Sequence, residues 1–514
     1  MNKVLDFFKV NRSYKNAKCS LLVSLLVGFL SYNQFIFNGY TNPDGIIEGL
    51  TSYVNATWHI AGCGRWVLPI IQSIFANINV PFIIVVFYCF FIWLSAFTIA
   101  KIWDEENNLM FVIVISAVMC VTRTTFDHIT TNSIAISDSI ACFLSTYFVY
   151  AIYKKGNTVN YLISIACICL SLGIFQPYVG LSASLVLMTI IILLIKGKDN
   201  KIVNKILISI VCAICGVVSY FVGFKVIMFV FKLNVSGRME ALSFNNIIGN
   251  LFSNLKYTYY YYFQYFNDQL LHKNFINFTL IILIIISIIF FIIKNHNKYN
   301  LLLVTSLLLI PLASNLAILV MPEIIFVTNM CYQNVLIVPF GLCIVRNIFN
   351  IKTFKYILTT LAVILCWLNI LCVNATLICY KLSYESIKYQ MSEIISDVIH
   401  KENYSMNETP VLFVGYPNDS ALRNSIPTYK YAYDFDEISN VVFWENEAMG
   451  YTYNRQKYVM DYFGIDIKDI SFDEYLEVIH NEDFKKMKLW PNNDGIKMIN
   501  GIIVVKLTDN PFVN

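Results

Sequence analysis

The chain has 514 residues, of which 57% are hydrophobic and only 14% charged, and its mean hydropathy is +0.61. Soluble domains carry about 25% charged residues, so most of this chain must be solvated by lipid. The net charge of +4 follows from membrane topology and gives no basis for nucleic-acid binding. No inside loop is large enough for a nucleotide-driven motor, which excludes an ATP-driven pump within this chain.

A helix crosses a bilayer with roughly 20 apolar residues. Such runs predict spans near 18–38, 79–102, 109–122, 133–153, 159–175, 178–195, 203–231, 275–293, 300–320, 333–346 and 355–379. The fold class is therefore an α-helical polytopic membrane protein with about 11 transmembrane helices over 1–380. Lys3, Lys9, Arg12, Lys15 and Lys18 precede the first span and place that end inside by the positive-inside rule. The later inside loops agree: Lys154 and Lys155, Lys196 to Lys205, Lys294 and Lys298, and Arg346 to Lys355. Asp104-Glu105-Glu106 is the exception, with only Lys101 beside it. The first apolar run is long and no small-residue cleavage site follows, which predicts a retained signal-anchor span.

The first outer loop, about 39–79, holds Asn42-Pro43-Asp44-Gly45-Ile46-Ile47-Glu48-Gly49 and then Gly64-Arg65-Trp66. Asn42 can cap a helix that starts at Pro43. On it Asp44, Glu48, Thr51 and Asn55 line one face and the aliphatic residues the other, as in an interfacial helix. Acids in a first helical turn also simply favour the helix dipole. Yet few carboxylates face outward before residue 380, and a positioned carboxylate helps a sugar hydroxyl attack by roughly 10²–10⁴. Asp44 is the first candidate base; Glu48 is the second, or a group that holds the acceptor. A lipid-phosphate donor calls for a guanidinium near the headgroups, and Arg65, Arg123 and Arg238 are the outward candidates, with Arg65 preferred.

The second outer loop reads Thr122-Arg123-Thr124-Thr125-Phe126-Asp127-His128, and Asp138 follows inside the next span. An ionisable group at membrane depth points to function by default, although Asp138 is equally explained as a partner of Arg123 or His128. Gln176-Pro177-Tyr178 forms a tight outer turn. Glu323, Asn329, Tyr332 and Gln333 crowd a further outer loop, and Tyr257 to Tyr265 form an aromatic cluster suited to interfacial anchoring. Cys167, Cys169, Cys212, Cys215, Cys366 and Cys372 lie within spans as small apolar residues, and no pattern predicts a metal or disulfide framework.

Composition turns polar near residue 381, which predicts a small soluble extracytoplasmic α/β domain over 381–514. Strands are expected at 411–416 and 502–507, and helices at 384–401 and 473–480. No phosphate-binding glycine loop, HExxH or Gly-x-Ser-x-Gly motif occurs.

Asn42-Pro43-Asp44-Gly45 with Gly64-Arg65-Trp66, Ser137-Asp138 and Phe175-Gln176-Pro177-Tyr178 resembles the membrane glucosyltransferases that modify O-antigen and related surface polysaccharides. Those belong to the polytopic GT-C superfamily, and the likeness of layout covers roughly residues 20–380. The resemblance implies a hexose, most often glucose, passing from undecaprenyl phosphate to a glycan outside the bacterial cytoplasmic membrane by inverting displacement. Asp44 or Glu48 would be the base. Arg65, Trp66, Arg123, Asp127, His128, Asp138, Gln176 and Tyr178 would contact substrate. The implied partners are the undecaprenyl-phosphate sugar donor, a polysaccharide acceptor and the lipid bilayer. A synthase and a flippase would supply the donor, and neither cofactor nor metal is demanded. The competing class, a lipid-linked glycan transporter, predicts ionisable groups through a central cavity and broken repeats in both halves; here the polar groups gather at outer ends. An assembly protein would leave the acidic loop unexplained.

Overall fold

The computed structural model describes residues 2–41, 57–75, 80–132, 134–198, 201–241, 244–295, 299–320, 328–349, 352–400, 408–415, 427–433, 468 and 470–508. Asp44 and Glu48, with the helix expected around them, lie outside the described residues. The first helices are α1 (Asn2–Asn38), α2 (Leu68–Ile74), α3 (Pro81–Ile102), α4 (Leu109–Cys120), α5 (Arg123–Thr130) and α6 (Ile134–Tyr150). Then come α7 (Thr158–Ile174), α8 (Tyr178–Ile195), α9 (Ile202–Val230), α10 (Gly237–Ala241) and α11 (Phe244–Phe266). α12 (Lys273–Lys294), α13 (Asn300–Ser314), α14 (Ile337–Ile348) and α15 (Lys352–Ile399) complete the helical body.

Seven of the described helical segments are long and apolar enough to cross a membrane, or eight if the bent pair α4–α5 is one span. Three shorter apolar helices, Thr158–Ile174, Asn300–Ser314 and Tyr332–Ile348, stand at other expected spans. The chain is a polytopic helical membrane protein. It divides into two compact units, 1–37 with 53–373 and 38–52 with 374–514.

In the first unit the α4–α5 junction bends by 54°. Breaking a helix at membrane depth frees carbonyls that lipid cannot satisfy. Here three side chains from elsewhere satisfy them. The Tyr332 hydroxyl donates to the Met119 carbonyl (2.9 Å), the Tyr32 hydroxyl to that of Cys120 (3.2 Å) and the Asn369 amide to that of Val121 (3.2 Å). On the other side of the break Thr122 caps α5 through a reciprocal capping box with Thr125. Lys273, almost wholly buried, pairs with Asp268 at 2.6 Å and donates to the Asn369 side chain at 3.3 Å, which keeps that amide aimed at the break.

The other end of this unit is tied by the acidic loop that breaks the lysine pattern. Buried Glu105 pairs with Arg346 and, at 3.5 Å, with Lys196. Asp104 pairs with Lys154 and, at 2.7 Å, with Lys198. Burial raises the Asp104 carboxyl, but Lys154 and Lys198 more than offset this and hold it below the ordinary carboxylate range. The acids stand there because they clamp cations from three other loops.

The tyrosine cluster expected in a loop lies instead on the 23-residue α11. Tyr257 and Tyr261, one turn apart, stack with centroids 5.6 Å apart, whereas Tyr262 is buried and Tyr260 exposed. The aromatic sequence suits a helix with one packed and one open face.

In the second unit β1 (Val411–Val414), β2 (Ile496–Ile499) and β3 (Ile502–Lys506) make a mixed sheet in the order β1-β3-β2. β1 runs parallel to β3 with Val411 opposite Ile503, and β2 antiparallel with Ile496 opposite Val505. Leu412, Val414 and Val504 pack with Tyr475 and Val478 of α16 (Phe472–His480) and with Phe484 of α17 (Glu482–Lys485). α16 starts at a Ser471–Glu474 capping box, and the hydrogen bonds there hold the Glu474 carboxyl below its ordinary range. The helix expected over 384–401 is no separate element: it is the end of α15, which runs without interruption through the compositional break near 381. Helical backbone bonding does not register a change from apolar to polar side chains.

Candidate active site

The bend places α5 across the end of the bundle opposite the acidic loop and puts His128, which is buried, at its centre. His128 Nε2 lies 2.9 Å from the Asn329 carbonyl oxygen. A carbonyl only accepts, so Nε2 carries the hydrogen and Nδ1 faces the rest of the site. Around Nδ1 stand the hydroxyls of Tyr178 at 3.3 Å and Tyr88 at 3.4 Å, and Asp138 Oδ2 at 3.9 Å. The rings of Phe175, Tyr178 and Tyr332 pack about the imidazole at centroid distances of 5.8, 6.1 and 6.4 Å. Asp138 sits in the second turn of α6 and is buried, as are its neighbours Ser137 and Ser139.

The 63–67 loop is latched onto this centre. Gln176 donates to the Cys63 carbonyl at 2.6 Å, the Tyr220 hydroxyl to that of Gly64 at 3.0 Å, and the Val67 amide to that of Gly173 at 2.8 Å. This leaves the Arg65 guanidinium 4.7 Å above the Phe175 ring, a cation–π contact that holds it with no ion pair among the described residues. Arg65 Nε is buried and has no hydrogen-bond partner among the described residues. His128, Arg65 and His59 all lie within electrostatic reach of the Asp138 carboxyl. Four aromatic rings, a histidine, an arginine and a carboxylate thus converge where the 63–67 loop meets the bundle.

Of the residues singled out from sequence, Arg65, His128, Asp138, Gln176 and Tyr178 come together here. Asp127 and Arg123 lie on the half-buried side of α5, where the Asp127 carboxylate accepts from the Thr328 hydroxyl and both charges reach Cys331. Trp66 is turned into packing. A Cβ built on Gly223 would lie 2.6 Å from its ring and one on Gly173 3.3 Å, so two glycines make room for the indole between α7 and α9. Arg238 is exposed on α10. Sequence reading did not single out Tyr88 and His59. Tyr88 looks like one more aromatic in an apolar helix, but His59 had a signal: it is one of only six histidines and lies six residues before Arg65.

The helical body and this centre define a polytopic membrane protein with a polar, partly aromatic site at one end of its bundle. Residues 34–338, well over half of the chain, match the family model described as Glucosyl transferase GtrII. The chain belongs to that glucosyl transferase family, and it is a glycosyltransferase that takes a sugar donor and a polysaccharide acceptor. No curated protein and no solved structure matches it.

Proposed function

We propose that the protein transfers a hexose, glucose by its family, from undecaprenyl phosphate to a cell-surface polysaccharide on the outer face of the bacterial cytoplasmic membrane. The observation that carries this reading is the convergence of Arg65, His128, Asp138 and Tyr178 at one end of the helical bundle. In this topology the N-terminus is cytoplasmic and the three shorter apolar helices bring the crossings to about eleven. The domain over 381–514 then faces the same side as the site.

A polyprenyl-phosphate sugar is a phosphodiester with one negative charge, and the departing lipid monophosphate gains a second. In an inverting displacement Asp44 or Glu48 takes the proton of the acceptor hydroxyl, whose oxygen attacks the anomeric carbon. The bond from that carbon to the phosphate oxygen breaks, and its electron pair leaves with the phosphate. Arg65, whose Nε has no partner among the described residues, would match the charge that appears on that group. His128, Asp138 and Tyr178 hold the sugar and fix the field around it.

The test uses purified protein, a panel of undecaprenyl-phosphate sugars and the native glycan, and follows release of undecaprenyl phosphate. Release that needs acceptor and falls by about 10²–10⁴ in Asp44→Asn is expected. Full activity in Asp44→Asn with loss in Glu48→Gln moves the base to Glu48. No release with any sugar from folded protein refutes the donor assignment.

A further inference from the structure

At the end of the bundle away from His128, a cavity of about 400 Å³ opens between the ends of α3, α6 and α8 and the start of α9. Lys154, Lys198 and Lys205 line it, with Asp104 as its one carboxylate among the described residues and Tyr153 and Thr189 beside them. Glu105, the neighbouring acid, does not line the cavity and is taken up by Arg346 and Lys196. Asp104 is shared between Lys154 and Lys198, while Lys205 donates only to the Tyr153 carbonyl at 3.0 Å among the described residues. Among the described residues three ammonium groups thus face a single carboxylate. Each has three N–H donors, more than these partners use. Lys198 is more than half exposed, so the cavity is reachable from outside.

We propose that this cavity binds a phosphate-bearing anion, with Lys154, Lys198 and Lys205 as its ligands and Asp104 as the internal competitor that holds two of them in place when it is empty. Basic pockets between membrane helices take lipid phosphates, and lysine binds phosphate as a compact point charge. An anionic phospholipid headgroup and a soluble phosphate share that chemistry.

Two arms distinguish them. Full-length protein is placed in nanodiscs of phosphatidylcholine, with or without phosphatidylglycerol, and its unfolding temperature is followed. In phosphatidylcholine alone, inorganic phosphate is then titrated against chloride at matched ionic strength. A rise in the first arm identifies a lipid headgroup, and a rise in the second a soluble anion. K154Q/K205Q is expected to weaken the response by about fivefold per lysine, and D104N to tighten it by about fivefold. Loss of the response in K154Q/K205Q supports the site; if that variant does not fold, a tighter response in D104N supports it instead. No wild-type response in either arm, a response kept by K154Q/K205Q, or one that D104N leaves unchanged or weakens overturns it.

Discussion

The two ends of the first unit handle charge in opposite ways. About 20 Å of α3 separates Tyr88, beside His128, from Ile102, beside Asp104. At the acidic-loop end the carboxylates of Asp104 and Glu105 each close on two cations, and Glu105 is buried in doing so. At the histidine end Asp138 and His128 stand 3.9 Å apart, and Arg65 rests on a ring. Closed pairs tie loops together; charges held apart by aromatic packing stay available to a substrate. Under the proposed function the first arrangement serves stability and the second chemistry.

The strongest way to break this comparison is Glu105→Gln. Removing the acid takes the partner from the half-buried Lys196 and from the exposed Arg346, a loss of about 1–3 kcal/mol. Thermal unfolding in detergent should show it, while turnover per folded molecule stays at the wild-type value. A drop in turnover with unchanged stability would reverse the roles of the two ends.

Asp138→Asn should do the opposite. Shape is kept and a charge near the reacting group is lost, so kcat should fall by about 10²-fold with little change in unfolding temperature. Wild-type kcat would make Asp138 a packing partner of His128. A smaller effect is expected at Arg65. Arg65→Lys keeps the charge but loses the fork and part of the ring contact, and Arg65→Ala loses all of them. KM for the lipid donor should rise about tenfold in the alanine variant and less in the lysine variant. Equal KM values in the two would show that charge is irrelevant there.

The smallest effect concerns Asp104. Its folded pKa lies below the unfolded one, so its contribution to stability is complete above about pH 4 and is lost as the pH falls through the lower folded value. The gap in unfolding temperature between wild type and Asp104→Asn should therefore hold steady at neutral pH and close on acidification below about pH 4. A gap that widens there would contradict the pairing with Lys154 and Lys198.

Much of the helical body was legible because lipid solvation leaves a long apolar run no alternative to a helix. The runs near 79–102 and 203–231 became α3 and α9 within two residues at each end. Thr122 to His128 and Gln176 to Tyr178 stood out for a related reason: polar residues beside such runs need partners. What those partners are was not legible. The Asn329 carbonyl that fixes the His128 tautomer, and the three donors that satisfy the end of α4, lie up to 248 positions away in the chain. Trp66 shows the limit most clearly, since only packing against Gly173 and Gly223 turns it inward.

By itself the sequence determined that this is a many-spanned membrane protein, where its apolar segments run and which polar residues gather at their ends. These follow from local composition, because hydropathy and backbone satisfaction act over a single segment. Only the tertiary structure decided which of those residues meet. It made Asp104 and Glu105 clamps, left Arg65 on an aromatic ring and set Asp138 across from His128. Those outcomes depend on distances between helices remote in the chain, which packing alone sets.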